Sequence, residues 1–201
     1  LLPAHVVGQM PRGNLRRALG NAAVTQQSAD LVQFWFGAEV GQGLDHILHR
    51  RTWLRFAMFE ADGRHAKLPN LLRRDVDLLF ANADEARALS DTETLEEAIR
   101  KLSELCRGVA VTDGARGSVV CFNKTPIRIK PFIVTPIDTT GAGDSFAAGL
   151  LYGLTNGYSL QDSGTLASFF ASRVVAQIGP RYTGNIGQEI RSLKIARTQQ
   201  V

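Results

Sequence analysis

The stretch DTTGAGDSFAAGL, residues 138–150, sets three small residues between two acids and runs straight into an apolar segment. Gly141, Ala142 and Gly143 leave backbone N–H groups unscreened by large side chains, so the amides can converge on one anion. A helix beginning there adds its unpaired first-turn donors and the positive end of its dipole. Asp144 falls at the start of that helix. Its carboxylate can cap the helix. It can also take a proton from a hydroxyl lying beside the anion hole, as phosphoryl transfer requires. The loop alone leaves both roles open.

Two other stretches carry similar chemistry. In VTDGARGSVV, residues 111–120, Thr112, Gly114 and Gly117 stand between two extended runs. Glycines there permit close approach of a nucleotide, or simply make a hairpin turn. In NADE, residues 82–85, Asn82 and Glu85 are three apart at a helix start. They can hold a hydrated Mg²⁺ through outer contacts, or form a capping box.

The elements that must position these residues follow from periodicity. DVDLLFAN reads as a short buried strand, and NADEARAL as a helix with acids in its first turn, where the dipole favours them. TLEEAIRKLSEL is amphipathic, with Leu95, Ala98, Ile99, Leu102 and Leu105 on one face and a capping box predicted between Thr94 and Glu97. GVAVT, SVVCF and IRIKP read as strands, the last two as a pair. Helices are predicted to about Leu154, from about Ser163 to Ile178 with Gly179 as C-cap, and over 187–195. Upstream, a helix in GNLRRALGNAAVTQQ, a strand at Leu31–Phe36, a helix from about Leu44 and a hairpin turning at Asp62-Gly63 are expected. Strands alternating with helices argue an α/β layer fold with a largely parallel sheet.

Composition sets the limits. The 201 residues, 44% hydrophobic and 21% charged, suit one globular domain over 1–201. No apolar run is long enough to span a bilayer, so no membrane partner is expected. The N-terminal stretch lacks the order of a secretory signal, although its basic character fits an organelle-targeting remnant. Cys106, on an apolar helix face, and Cys121, in an apolar strand, are the only cysteines and read as buried thiols. That fits a reducing compartment, the cytoplasm or an organelle matrix. The four histidines, His5, His46, His49 and His65, have no acidic or Cys partner set and read as packing or surface residues. Trp35 reads as core. The net charge of +4 includes arginine pairs at 16–17, 50–51 and 73–74. These suit a solvated face, an anionic substrate or docking on a nucleic-acid-containing assembly. Aromatics are not interleaved with them, so no platform for single strands is visible, and nucleic acid would be contacted only indirectly.

DTTGAGDSFAAG, preceded in order by NADE and VTDGARG, closely resembles the ribokinase/PfkB family of carbohydrate and nucleoside kinases. ASFFASRVVAQIGPR resembles that family's last core helix and exit. The resemblance is strong from about residue 71 onward, the ATP-binding and catalytic half. Over residues 1–70 it is weaker, with FGAEVGQGLDHIL and FAMFEADGRHAKLPN similar to the family's strand-turn-helix and lid-like hairpin.

The resemblance implies a three-layer α/β/α sandwich with a largely parallel central sheet and a reduced or missing lid. It implies ATP and Mg²⁺ as cofactors, and a sugar or nucleoside as acceptor. Asp144 would be the base, and Gly141, Ala142 and Gly143 with the Asp144 amide the anion hole. Thr112, Gly114 and Gly117 would line the ATP site, with Ala171 and Val175 near the adenine. Asn82 and Glu85 would organise Mg²⁺. Asp138 and Thr140 would bind a monovalent cation, K⁺, with carbonyls near Val174, Gln177 and Gly179.

The sequence also departs from the family. The N-terminal strand with its substrate-binding Asp and the Gly-Gly-x-x-x-Asn segment are not found. The chain passes from KLPN to LLRRDVDLLF without the usual helix and strand. Two functions therefore stand side by side: a kinase, or an inactive structural subunit of a larger assembly. A homodimer or a larger protein assembly is compatible with either.

Overall fold

A computed structural model describes residues 76–193 without a break, Pro69, Leu72, Arg73 and Ile195, and the backbone of two short upstream strands. The two helices and the strand expected between residues 14 and 50, the turn and second arm of the expected hairpin, the four histidines and Trp35 lie outside the described residues, whereas the hairpin's first run holds the described strand Arg55–Met58.

Six strands form one sheet, in order β1 (Gly8–Gln9), β2 (Arg55–Met58), β3 (Leu78–Asn82), β4 (Gly108–Thr112), β5 (Ser118–Phe122) and β6 (Thr125–Ile129). The centre, β2–β3–β4, is parallel, whereas β1 and the β4–β5–β6 meander are antiparallel. The parallel part is thus narrower than the sequence pattern implies, because DGARG and Asn123-Lys124 close tight turns that send the chain straight back. Asn123 and Lys124 both take positive φ, 48° and 65°, the requirement of a two-residue hairpin turn. β6 begins at Thr125, earlier than the IRIKP run suggests. Pro126 sits within it, which an edge strand tolerates.

Alternation along the strands builds two cores. Leu79, Ala81, Val109, Val111, Val119 and Cys121 face α1 (Ala83–Ser90) and α2 (Leu95–Leu102). Leu78, Phe80, Ala110, Val120 and Ile129 face α3 (Ala142–Thr155) and α4 (Leu160–Val175). Helices cover both faces of the sheet, giving three layers.

α3 and α4 meet almost backbone to backbone. A Cβ on Gly149 would lie 2.7 Å from the Ala167 Cα, and one on Gly153 2.6 Å from the Ser163 Cα. α4 starts and ends earlier than expected. Ser159 caps it by accepting the Asp162 amide at 3.0 Å, and Ala176 closes it before Gly179. A short α5 (Ile186–Ser192) buries Ile186 and Ile190 against Phe169, Phe170 and Val174.

The box expected between Thr94 and Glu97 is only half formed. Thr94 Oγ1 accepts the Glu97 amide, but the Glu97 carboxylate takes the Thr94 hydroxyl instead of the backbone amide. Cys106 and Cys121 are both buried. Cys106 lies just beyond α2, not on it, and burial pushes its thiol up to about 12.

Candidate functional site

The parallel strands β3 and β4 end side by side, with Asn82 and Thr112 as register partners at their carboxyl ends. In open α/β sheets a ligand crevice forms at that edge. Here a cavity of about 930 Å³ opens there.

Asn82, Glu85, Thr112, Gly114, Gly117, Gly141, Ala142, Gly143, Asp144, Ala171 and Val175 all line this one cavity, drawn together from four separate stretches of sequence. Asp138 and Thr140 are not among the lining residues; their neighbour Thr139 is.

Asn82 and Glu85 form a reciprocal capping box on α1. Asn82 Oδ1 accepts the Glu85 amide at 2.9 Å, and Glu85 Oε2 accepts the Asn82 amide at 2.7 Å. The Glu85 side chain borders the cavity. Among the described residues no three His, Cys, Asp or Glu side chains cluster as a metal cage. That donor set fits an Mg²⁺ carried mainly by phosphate oxygens and water, with Glu85 as an outer contact.

The glycine loop enters α3 through Gly141, which takes φ +79° as N-cap. The first i→i−4 bond of the helix runs from the Ser145 amide to the Gly141 carbonyl at 2.9 Å, so the amides of Gly143 and Asp144 precede the helical ladder. The Ala142 amide donates to the Thr139 carbonyl at 3.2 Å. A Cβ built on Gly143 meets nothing within 4 Å, leaving the backbone bare on its open side. Asp144 is the third residue of α3, not its cap, so the capping role open to it in the sequence falls to Gly141.

On the other rim Asp113 and Arg116 clasp the VTDGARG turn. Arg116 donates through Nε at 2.8 Å and through Nη2 at 2.6 Å. The Arg116 bond holds the Asp113 carboxyl below the usual carboxylate range. Gly114 takes φ +55° with open space at its Cβ position. Gly117 has a structural reason of its own: φ is +91° and a Cβ would lie 2.3 Å from the Ile129 carbonyl.

Asp138 does different work. Its Oδ1 accepts the Thr140 amide at 2.9 Å, and its Oδ2 accepts the Gly179 amide at 2.9 Å. The Thr140 amide, the Thr140 hydroxyl and the Gly179 amide keep this carboxyl low. The backbone amides of Ile137 and Asp138 donate to the carbonyl of Val175, the last residue of α4. An ionised carboxylate therefore stands at a helix C-terminus, where the dipole is also negative. That arrangement fits a monovalent cation, with Asp138 as the charged ligand. The Val174 carbonyl is already taken by the Ala176 and Gln177 amides, and Gly179 presents its amide to Asp138.

Sequence reasoning missed the strap between β6 and the loop. Pro131, Phe132, Ile133, Val134 and Pro136 line the cavity, and Ile133 is 98% exposed. Two prolines flanking an apolar run just before the glycine loop were the available signal. Ser118, also on the lining, is buried with no hydrogen-bond partner for its hydroxyl.

The family description pfkB family carbohydrate kinase matches residues 11–185. The inositol 3-kinase of Arabidopsis thaliana is 32% identical over 126 residues, covering 62% of this chain and 33% of that protein. The adenosine kinase structure from Sinorhizobium meliloti superposes with a TM-score of 0.67 at 29% identity, over 87% of this chain and 52% of that one. A ribokinase from Thermotoga maritima shares the fold at 21% identity, with a TM-score of 0.59 over 78% of this chain and 52% of that one. The chain thus spans about half the length of these solved structures, and less of the kinase from Arabidopsis. No helix among the described residues is long and apolar enough to cross a membrane.

Proposed function

Because the chain belongs to the pfkB family of carbohydrate kinases, we propose that it transfers the γ-phosphoryl group of ATP to a hydroxyl of a sugar, polyol or nucleoside. One observation carries this reading. Asp144 and the Gly141–Gly143 loop line the same cavity as the Thr112–Gly117 turn and the Ala171 and Val175 face of α4. A proton acceptor, an anion hole and a nucleotide wall share one space.

The chemistry asks the protein mainly for positioning and charge stabilisation. The VTDGARG turn and α4 hold the nucleotide. The amides of Gly143 and Asp144, at the positive end of α3, meet charge developing on the transferred group. The Asp144 carboxylate takes the proton from the acceptor hydroxyl as its oxygen attacks. Asn82 and Glu85 orient the Mg²⁺–phosphate unit, whose metal neutralises phosphate charge when bound. Asp138 and Thr140 would hold a monovalent cation, K⁺, whose charge would offset that of the Asp138 carboxylate. Kinases of inositol and adenosine among the similar proteins favour a polyhydroxylated ring as acceptor.

ATP turnover against a panel of sugars, nucleosides and inositol, with Asp144→Asn as control, tests this reading. Turnover that vanishes in the control supports it. A cleanly folded chain that turns over none of them points to the structural-subunit reading instead.

A further inference from the structure

We propose that Tyr182 and Glu189 are positioning residues for the Asp138 cation site, acting through the turn that leaves α4. The inference rests on the cation reading of Asp138 given above.

The turn carries Gly179, whose amide holds Asp138 Oδ2 at φ +86°. Local bonds define its shape: Gln177 Nε2 donates to the Arg181 carbonyl at 2.5 Å, and Gln177 Oε1 accepts the Thr183 amide at 3.5 Å. These fold the turn on itself but do not fix it to the body of the protein. Tyr182 supplies that attachment. Its hydroxyl donates to Glu189 Oε1 on α5. Glu189 Oε2 in turn accepts Arg173 Nε of α4 at 2.5 Å, and the Arg173 guanidinium lies 4.4 Å from the centre of the Phe169 ring. A Cβ on Gly184 would fall 2.3 Å from the Tyr182 hydroxyl oxygen, so the ring end sits in a slot that a residue without a side chain leaves open.

A continuous chain of contacts therefore runs from Phe169 through Arg173, Glu189 and Tyr182 to the turn that presents Gly179 to Asp138. α5 itself does not depend on this polar set, because Ile186 and Ile190 already seat it in the core. The polar set serves the turn. Tyr182 and Glu189 are not among the residues lining the cavity, whereas Phe169 at the other end of the chain packs edge-on against Phe132, which is; the K⁺ midpoint, and not turnover alone, therefore reads the route through Asp138.

The test uses the full chain and K⁺ as the probe. Melting temperature is followed against KCl at constant ionic strength with choline chloride, and KCl dependence of turnover is measured alongside. Tyr182→Phe keeps the ring and removes the donor; Glu189→Gln keeps the size and removes the charge. Both are expected to raise the half-saturating K⁺ by about fivefold or more, and Asp138→Ala to abolish the saturable response. Ile190→Val, which loosens α5 without touching the polar set, is expected to lower the melting temperature and leave the K⁺ midpoint unchanged. A wild-type midpoint in Tyr182→Phe overturns the inference, as does an equal shift in Ile190→Val. A wild-type chain with no saturable K⁺ response overturns the cation reading and this inference together. A response lost in Asp138→Ala but unmoved in Tyr182→Phe sinks the inference alone.

Discussion

Asn82 and Glu85 hold one another across the first turn of α1, each side chain accepting the other's backbone amide, at 2.9 and 2.7 Å. The capping box and the proposed Mg²⁺ contact are therefore made by the same two residues. The two roles separate by charge. A glutamine at the third helical position can still accept the Asn82 amide, but it offers a phosphate-bound cation no negative charge. Glu85→Gln should leave stability within about 0.5 kcal/mol of wild type and raise the Mg²⁺ concentration needed for half-maximal turnover. Unfolding in denaturant and an Mg²⁺ titration of turnover check the two halves. An unchanged Mg²⁺ requirement would leave Glu85 with the cap alone.

Asp144 is the third residue of α3 and not its cap. Replacing it with Asn keeps the shape and removes the proton acceptor. kcat is expected to fall by about a hundredfold or more, while ATP affinity, measured by calorimetric titration, stays near wild type. A variant that turns over at the wild-type rate would remove Asp144 from the mechanism.

The Asp113–Arg116 clasp and Gly117 shape the same turn by different means. The clasp joins an exposed Arg116 to a largely covered Asp113 with good two-point geometry, and pairs near the surface contribute up to about 1 kcal/mol. Arg116→Gln should raise KM for ATP by up to about fivefold with kcat unchanged. Gly117→Ala is harsher, because φ +91° and the Ile129 carbonyl at 2.3 Å leave a Cβ nowhere to go. It should cost about 1–3 kcal/mol in denaturant unfolding. Equal destabilisation by the two variants would mean that Gly117 is not under the constraint its φ and the Ile129 carbonyl impose.

What could be read from sequence divides along physical lines. GVAVT was legible because a strand buried on both faces is a continuous apolar run, and the structure gives Gly108–Thr112. The start of β6 was not, because Asn123-Lys124 makes its tight turn without glycine and Pro126 reads as a breaker. α4 began early because Ser159 and Asp162 form a cap that the apolar period did not reveal. The strap from Pro131 to Pro136 has no period at all. The Asp138–Gly179 bond spans 41 residues; no local pattern encodes it, and only the family resemblance brought the two together.

Tyr182 offers a test in alkaline solution. Burial, then the bond to Glu189 and its negative charge, push the phenol up to about 12. An unfolded tyrosine titrates near about 10. The folded state thus favours the neutral phenol, so this contribution is fully present below about pH 10 and is lost as pH rises through about 12. Phenolate absorbance of the folded chain should contain a late phase that Tyr182→Phe removes, and the stability gap between wild type and Tyr182→Phe should shrink over the same interval. The gap is set by the hydroxyl alone, since phenylalanine retains the ring against Gly184. A folded chain whose tyrosines all titrate near about pH 10 would show that the Glu189 bond does not form, leaving the turn bearing Gly179 held by the packing of the Tyr182 ring alone.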